Sequence, residues 1–335
     1  MKYLLIIYIF ISFGLLSCTQ NPYERNIDDI SVQFTILPHH SDIRTLSQNF
    51  TEQNRTSLSE KYGPFFESYN SRIVQLGLST DTSFPQKLQK LLEETWIQDI
   101  YKKTNEVFAD TTYLYKELEP ALQYFSYYFP NKTIPRFATF VGAVQYSVVI
   151  DSNLIAIGID KYLGQDFQMY KDMEISSFVR RNMYKEKIAS DVMRAMAENE
   201  FPNPCSEQYL LAHMIQHGRY MYFVRCMLPH TPDSVMWGYT TRQLEFCSKS
   251  ESEFWKYFVS TDNTLFSSDY MTIKRFIDDG PFTPVFTKES PGKIGQWIGF
   301  KIVESYMKQN PQTTLEELFS IESAQEIMRK SKYNP

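Results

Sequence analysis

The chain has 335 residues, of which 43% are hydrophobic and 16% aromatic, and a formal net charge of −5. This length and apolar content suffice for one large core, which excludes a chain that is disordered throughout. The acidic balance and the lack of a basic stripe argue against nucleic acid as a partner.

The first 18 residues predict export and anchoring. Lys2 precedes an apolar run over residues 3–13, and small and apolar residues then lead to Cys18. A short positive segment, a short apolar core and small residues before a cut are typical of a secretory signal, and this core is too short for a membrane span. The segment resembles the bacterial lipobox, in which the signal is cut before the cysteine and lipid, palmitate included, is attached to it. We therefore expect a lipoprotein signal peptide at 1–17 and lipid on Cys18. An ordinary signal peptide with an incidental cysteine is the alternative.

The rest of the chain predicts a lipidated polar tether over residues 18–29 and a single domain over 30–335. Alternating apolar residues predict a strand over Ile30–Leu37, with His39 and His40 in the loop that follows. Helical spacing of apolar residues then predicts a series of helices. They are expected at about 54–76, from Pro85 to about 101, and at 112–129, 176–199, 206–227, 240–259 and 291–310.

A β-rich region interrupts these helices. Residues 137–150 and 153–159 are rich in β-branched and aromatic side chains and are joined by Asp151 and Ser152, which predicts a β-hairpin. The expected fold class is therefore α+β and mostly helical, with a small early sheet or hairpin and surrounding helices.

Three cysteines remain if Cys18 is lipidated, namely Cys205, Cys226 and Cys247. Their spacing fits neither a CxxC pair nor a zinc ribbon. An odd number of cysteines leaves at least one free thiol in an oxidising compartment. We interpret all three as small buried apolar residues.

The first candidate for chemistry is a histidine pair. His213 and His217 lie four residues apart in a predicted helix, so they share a face at the spacing of two zinc ligands. A hydrolytic zinc motif also needs a glutamate directly after the first histidine as general base, and Met214 stands there. The pair is therefore a weak metal candidate, and packing near a helix surface is the favoured interpretation. The nearest downstream acids that could complete a metal site are Glu245, Glu251 and Glu253.

The second candidate is the glycine-rich start of the predicted helix at 291–310. Ser290 suits an N-cap and Pro291 the first helical position. A glycine inside a helix costs about 1 kcal/mol relative to alanine, so several glycines on one face predict close approach to a neighbouring element. The face is either the floor of a groove that binds a peptide or partner, or a core-packing surface. It consists of Gly292, Gly295, Trp297 and Gly299.

Several segments carry a family resemblance. They are the lipobox, Asp160-Lys161-Tyr162-Leu163-Gly164, LLAHMIQHGRYMY at 210–222, Gly238-Tyr239-Thr240, ESPGKIGQWIGFKIVESYM at 289–307 and the C-terminal KSKYNP. With these segments the chain resembles the gliding motility lipoprotein GldB family of Bacteroidetes over most of its mature length. The second half of the chain carries the more specific part of the resemblance.

That family is in turn similar to predicted zinc peptidases built on His-Glu-x-x-His. By this analogy the catalytic helix would be Lys185–Asn199, which contains no histidine. His217 stands before Gly218, where the peptidases have an acid. The resemblance therefore implies a zincin-like frame without the catalytic histidines, and it implies no cofactor.

The resemblance implies a non-catalytic, membrane-anchored component of the gliding motility and associated envelope secretion machinery. Such a component would hold an envelope protein as its partner, through the zincin-like groove or an aromatic face. The lipid on Cys18 would attach it to the membrane, and we expect it at the periplasmic face of the outer membrane. The alternative function is a zinc-dependent metallopeptidase that uses His213 and His217.

Overall fold

The computed structural model describes residues 21–110, 112–205, 207–261 and 263–335. The predicted signal peptide at 1–17 and Cys18 lie outside the described residues. Within the described part, seventeen α-helices surround one small four-stranded sheet. The predicted, mostly helical α+β class is therefore confirmed. None of these helices combines the length and the apolar character that crossing a membrane requires.

The first part of the domain contains one short strand and six helices. In chain order these are β1 (Ile36–Leu37), α1 (His39–Gln48), α2 (Glu52–Tyr62), α3 (Pro64–Ser68), α4 (Phe84–Glu93), α5 (Thr95–Val107) and α6 (Thr112–Tyr128). A π-helical turn at Tyr69–Ile73 extends α3.

The remaining strands come next, and eleven helices follow them. These elements are β2 (Arg136–Phe140), β3 (Val148–Asp151), β4 (Leu154–Gly158), α7 (Gln168–Asp172), α8 (Ser177–Arg180), α9 (Ile188–Glu200), α10 (Leu210–Met227), α11 (Asp233–Trp237), α12 (Thr241–Lys249), α13 (Glu251–Ser260), α14 (Tyr270–Ile277), α15 (Ile294–Gln309), α16 (Leu315–Ser320) and α17 (Ala324–Ser331).

The sheet has the strand order β1-β2-β4-β3. β1 and β4 both pair with β2 in parallel, with Phe137 opposite Ile155, whereas β3 and β4 form an antiparallel hairpin. All five residues of β4 are buried. Parallel strands need a crossover connection, and the helices α1 to α6 form the one between β1 and β2.

The predicted hairpin is only partly correct, because the expected strand over 137–150 is two strands. Residues 141–147 leave the sheet, and Ala143 and Val144 adopt φ values of 56° and 62°. The buried Asp160 carboxylate accepts hydrogen bonds from the backbone N–H groups of Gly142 and Val144, at 3.0 and 2.6 Å. A left-handed backbone is rare at a β-branched residue. Residues 141–147 therefore form a loop despite their β-rich sequence, because the Asp160 carboxylate stabilises it.

The predicted strand over Ile30–Leu37 is also too long, since only its last two residues join the sheet. Upstream of β1, the Ile30 carbonyl accepts a hydrogen bond from a side chain instead of from a neighbouring strand, because Gln123 Nε2 donates to it at 2.6 Å. His39 and His40 begin α1 instead of lying in a loop.

Most of the predicted helices are present but divided. Gly63, with a φ of 60°, separates α2 from α3. Ser250 separates α12 from α13, and the helix predicted at 176–199 is broken between α8 and α9. α15 begins at Ile294 rather than at Pro291, because Ser290 does not cap it and its hydroxyl donates to the Thr287 carbonyl at 2.8 Å.

The described part of the predicted tether lies against the domain. Asn21 Nδ2 donates to the Pro229 carbonyl at 2.8 Å, and the Tyr23 ring packs edge-on against Tyr222 with the centroids 5.8 Å apart. Ile27 packs against the hydrophobic core. The described part of the predicted tether therefore packs against the domain.

α10 and α15 cross at the centre of the core with their backbones in contact. A methyl group at Gly299 would lie 1.8 Å from the Met214 carbonyl oxygen, and one at Gly218 would lie 2.3 Å from the Gly299 backbone. Only residues without a side chain permit this approach. It is the close backbone contact predicted for Gly299.

Candidate functional site

A polar cleft of about 170 Å³ opens between α9, α10, α15 and the segment that follows β4. Met221, Met236 and Trp237 are among its apolar lining residues, and we call these three the apolar wall. Four cationic side chains and two carboxylates line the cleft, so the lining carries a net positive charge. The polar and charged lining residues include Lys161, Tyr162, Asn182, Lys187, Asp191, Arg194, Asp279, Lys293 and Gln296.

α9 and the turn before it present three charged side chains to the cleft. Lys187, Asp191 and Arg194 are spaced by four and three residues and so share one helix face. Lys187 Nζ lies 3.2 Å from Asp191 Oδ1 and donates to the Met236 carbonyl at 3.0 Å. Tyr162 Oη donates to the other Asp191 oxygen at 2.9 Å. Protein groups therefore hold both members of this partly buried ion pair, in which the Asp191 side chain is 27% exposed.

Arg194 lies directly beside His217. Its Nη2 is 3.3 Å from His217 Nδ1, while Nη1 donates to Gln296 Oε1 at 3.2 Å and Nε donates to Glu198 at 2.9 Å. A guanidinium group can only donate, so Nδ1 accepts and the proton of the neutral imidazole is on Nε2. Burial and the charge of Arg194 lower the pKa of His217 to about 3. The imidazole is therefore neutral at physiological pH.

Lys293 has an unusual backbone conformation at the N-terminus of α15. Its φ and ψ are 62° and 29°, a left-handed conformation that costs free energy for a residue with a side chain. Its Nζ lies 3.4 Å from Asp279 Oδ1, on a side chain that is half exposed. Burial lowers the pKa of Lys293; Asp279 opposes this shift, and Arg194 and Lys187 add to it. The positive end of a helix dipole is a further unfavourable neighbour for this ammonium.

The segment after β4 fixes Lys161 and Tyr162 at the cleft through the neighbouring Asp160. This carboxylate is fully buried, and Tyr170 Oη donates to the Asp160 backbone carbonyl at 2.6 Å. Burial raises the pKa of Asp160 to about 6. The two backbone hydrogen bonds that the carboxylate accepts lower the pKa, but burial has the larger effect. Burial also lowers the pKa of Lys161, and its ammonium forms no ion pair within the described part of the chain.

Within the part of the chain that the structure describes, His213 and His217 have no third metal-ligating side chain beside them. Among the described residues, no group of three or more His, Cys, Asp or Glu side chains is arranged to hold a metal ion. Two of the acids considered as third ligands have other neighbours, because Glu245 lies 3.7 Å from Lys249 and Glu251 accepts from a tyrosine hydroxyl. A zinc ion at His217 would also lie close to the Arg194 charge, which opposes it. These contacts argue against the zinc peptidase alternative.

The predicted glycine face is in contact with other backbone along its length. A methyl group at Gly292 would lie 2.6 Å from the Gly280 carbonyl oxygen, and one at Gly295 would lie 2.9 Å from a carbonyl oxygen of α14. Gly292 precedes α15 and is not part of it. Trp297 is 5% exposed, and its ring centroid lies 5.1 Å from that of Trp237. The geometry therefore favours core packing over a groove floor.

A second cavity, of about 940 Å³, lies where the tether joins the body. Tyr23, Tyr128 and Tyr222 line it, together with Glu304, which accepts a hydrogen bond from the Tyr23 hydroxyl. Cys226 also lies at this cavity, and burial raises its pKa to about 12. All three described cysteines are free and buried, as predicted.

The polar cleft unites segments that lie far apart in the sequence. Lys161 and Tyr162 come from the DKYLG segment, Met221 from the segment at 210–222, and Lys293 and Gln296 from that at 289–307. These are segments that carry the family resemblance. The cations of the cleft do not stand out in the sequence, because charged helix residues are usually solvated. The shared helix face of α9 is the one sequence feature that could have indicated them.

Comparison with protein families places the chain among the lipoproteins of gliding motility. More specifically, the model of the family described as Gliding motility protein GldB matches residues 20–335, and the chain belongs to this family. This confirms the family resemblance, whereas the match gives no support to the similarity to zinc peptidases. Neither the curated proteins nor the solved structures gave a match.

Proposed function

We propose that this chain is a lipid-anchored, non-catalytic component of the envelope machinery that supports gliding. In this role it holds another envelope protein and performs no reaction on it. Membership of the gliding motility family supports the general role. The hydrogen bond between Arg194 and His217 Nδ1 is the observation that carries the non-catalytic assignment.

That contact removes the side chain best suited to chemistry. A general base needs a pKa near the working pH, and the pKa of His217 is lowered to about 3. A metal ligand needs a free lone pair and a site that accepts positive charge, and Arg194 opposes both. Asp191 is likewise held by Lys187 and Tyr162. The cleft is thus better suited to binding than to catalysis.

The proposed anchor is the lipid on Cys18, at the periplasmic face of the outer membrane. Asn21 is bonded to the domain, and a chain of three residues spans at most about 10 Å. A lipid on Cys18 would therefore hold the domain close to the bilayer. The cavity lined by Tyr23 and Tyr222 would then lie on the side of the domain near the membrane.

The test is affinity capture of the tagged full-length protein from gently solubilised membranes of a bacterium that carries this gene. The proposal expects one defined envelope protein to be recovered in reproducible proportion. Recovery of the tagged chain alone would contradict it. A Cys18→Ala variant should move to the soluble fraction, and Cys205→Ala, which removes a buried thiol, should stay with the membrane.

A further inference from the structure

The side chains that line the polar cleft include more cations than carboxylates. Lys161, Lys187, Arg194 and Lys293 line it, and the carboxylates there are Asp191 and Asp279. Lys187 forms an ion pair with Asp191, and Arg194 forms one with Glu198, which lies outside the lining, so these two cations already have acidic partners. Within the described residues, Lys161 forms no ion pair, and Lys293 has only the half-exposed Asp279 at 3.4 Å. Two ammonium groups therefore retain donors for a ligand.

The conformation of Lys293 points in the same direction. A lysine with a φ of 62° at the N-terminus of a sixteen-residue helix combines an unfavourable backbone with an unfavourable charge. Asparagine or glycine would adopt this conformation more easily, and an acidic residue would suit the helix dipole. Strain that the surrounding fold maintains is found preferentially at binding sites. A bound anion would compensate the clustered charge and would also suit the helix N-terminus.

We propose that the cleft binds a carboxylate of a partner polypeptide, with Lys161 and Lys293 as hydrogen-bond donors and Lys187 and Arg194 as further positive charge. The inference rests on the proposed function in taking the occupant to be part of an envelope protein. The apolar wall formed by Met221, Met236 and Trp237 suits the hydrocarbon part of such a residue.

A carboxylate suits this lining better than a phosphate does. Asp191 and Asp279 share the cleft, and each repels a second negative charge on the ligand. A volume of about 170 Å³ accommodates a carboxylate with a short side chain. The apolar wall gives no hydrogen bonds to the remaining oxygens of a phosphate group.

The test measures binding of N-acetyl-leucine to the full lipidated chain in detergent, by the shift in its melting temperature. N-acetyl-leucine amide has the same shape without the charge, and inorganic phosphate is the third probe. We expect a saturable upward shift with the acid and none with the amide. Equal shifts with the acid and the amide, or no shift with either, would overturn the proposal. A larger shift with phosphate than with the acid would overturn the choice of a carboxylate.

Variants locate the site. Lys293→Asn removes the charge and tolerates the left-handed backbone, and Lys161→Gln removes the second donor; each should weaken binding of the acid about tenfold or more. Lys332→Asn is the matched control, because Lys332 is exposed and has a φ of 52°. It should bind like the wild type. Equal weakening in Lys332→Asn, or unchanged binding in Lys293→Asn, would contradict the assignment.

The variants also separate this inference from the proposed function. Lys293→Asn should melt at or above the wild-type temperature, because it relieves strain and repulsion, so loss of binding is not loss of folding. If the wild type captures a partner and Lys293→Asn captures it equally well, the cleft is not the docking site but the proposed function stands. If the wild type captures none, the proposed function itself fails.

Discussion

Replacement of Gly299 by alanine tests the close crossing of α10 and α15. The new methyl group would lie 1.8 Å from the Met214 carbonyl oxygen, and the nearest atoms belong to backbone rather than to a movable side chain. Overpacking typically costs about 1–3 kcal/mol, and the upper end applies because two helices must move apart. Alanine has a higher helix propensity than glycine, which offsets about 1 kcal/mol of this cost. The free energy of unfolding should therefore fall by roughly 2 kcal/mol.

Thermal unfolding followed by circular dichroism measures this effect. For a chain of this size, roughly 2 °C is lost per kcal/mol, so we expect a melting temperature lower by about 4 °C or more. Gly280→Ala is the matched control, because the nearest atom to its new methyl group lies 3.6 Å away. If Gly299→Ala has the same melting temperature as the wild type, the close crossing of α10 and α15 does not constrain stability, since the helices can then move apart at no cost in free energy.

Three further outcomes follow from the contacts described above. Zinc or a chelator should leave the melting temperature unchanged, and the double variant His213→Ala/His217→Ala should lose no bound metal in elemental analysis. The pKa of Asp160 is raised to about 6, so its contribution to stability is present below its unfolded pKa of about 4 and is lost as pH rises to about 6. Relative to Asp160→Asn, the wild type should lose about 3 kcal/mol over that range in denaturant titrations. The three buried thiols should react with a thiol reagent only after unfolding.

Each of these outcomes has a clear contrary result. Stoichiometric zinc that disappears in the histidine variants would restore the metallopeptidase alternative. A constant stability difference between wild type and Asp160→Asn from pH 4 to 7 would show that folding does not raise the pKa of this carboxyl. Rapid labelling of the native chain would show that at least one thiol is accessible.

The sequence predicts which helices and strands form better than it predicts where they begin and end. Apolar periodicity locates most helices, but the loop at residues 141–147 is hidden because its conformation depends on Asp160, sixteen or more residues away. The start of α15 is misplaced because of bonds within the preceding loop. Pro291 and Ser290 are suited to a helix start, yet the Ser290 hydroxyl bonds to carbonyls of the preceding loop, those of Thr283 and Thr287. At both places, hydrogen bonds that the residue types do not reveal override the local preference.

The candidate site is harder to predict than the fold. Gly299 is recognisable because glycine is costly inside a helix, which requires an explanation by packing. The charges of Lys187, Arg194 and Lys293 are ordinary at a protein surface, and only the packing of α9 against α10, and of α10 against α15, brings them to one cleft. His217 shows the converse, since helical spacing predicts a ligand while Arg194 occupies its nitrogen.

The central claim is that an anchored domain acts by binding, and complementation of a deletion strain tests it most directly. In a gliding bacterium that carries this gene, we predict that the wild type restores surface spreading and that Cys18→Ala, expressed at equal level, does not. His217→Ala should restore spreading fully, because no reaction depends on that imidazole. Full restoration by Cys18→Ala together with failure of His217→Ala would contradict the account.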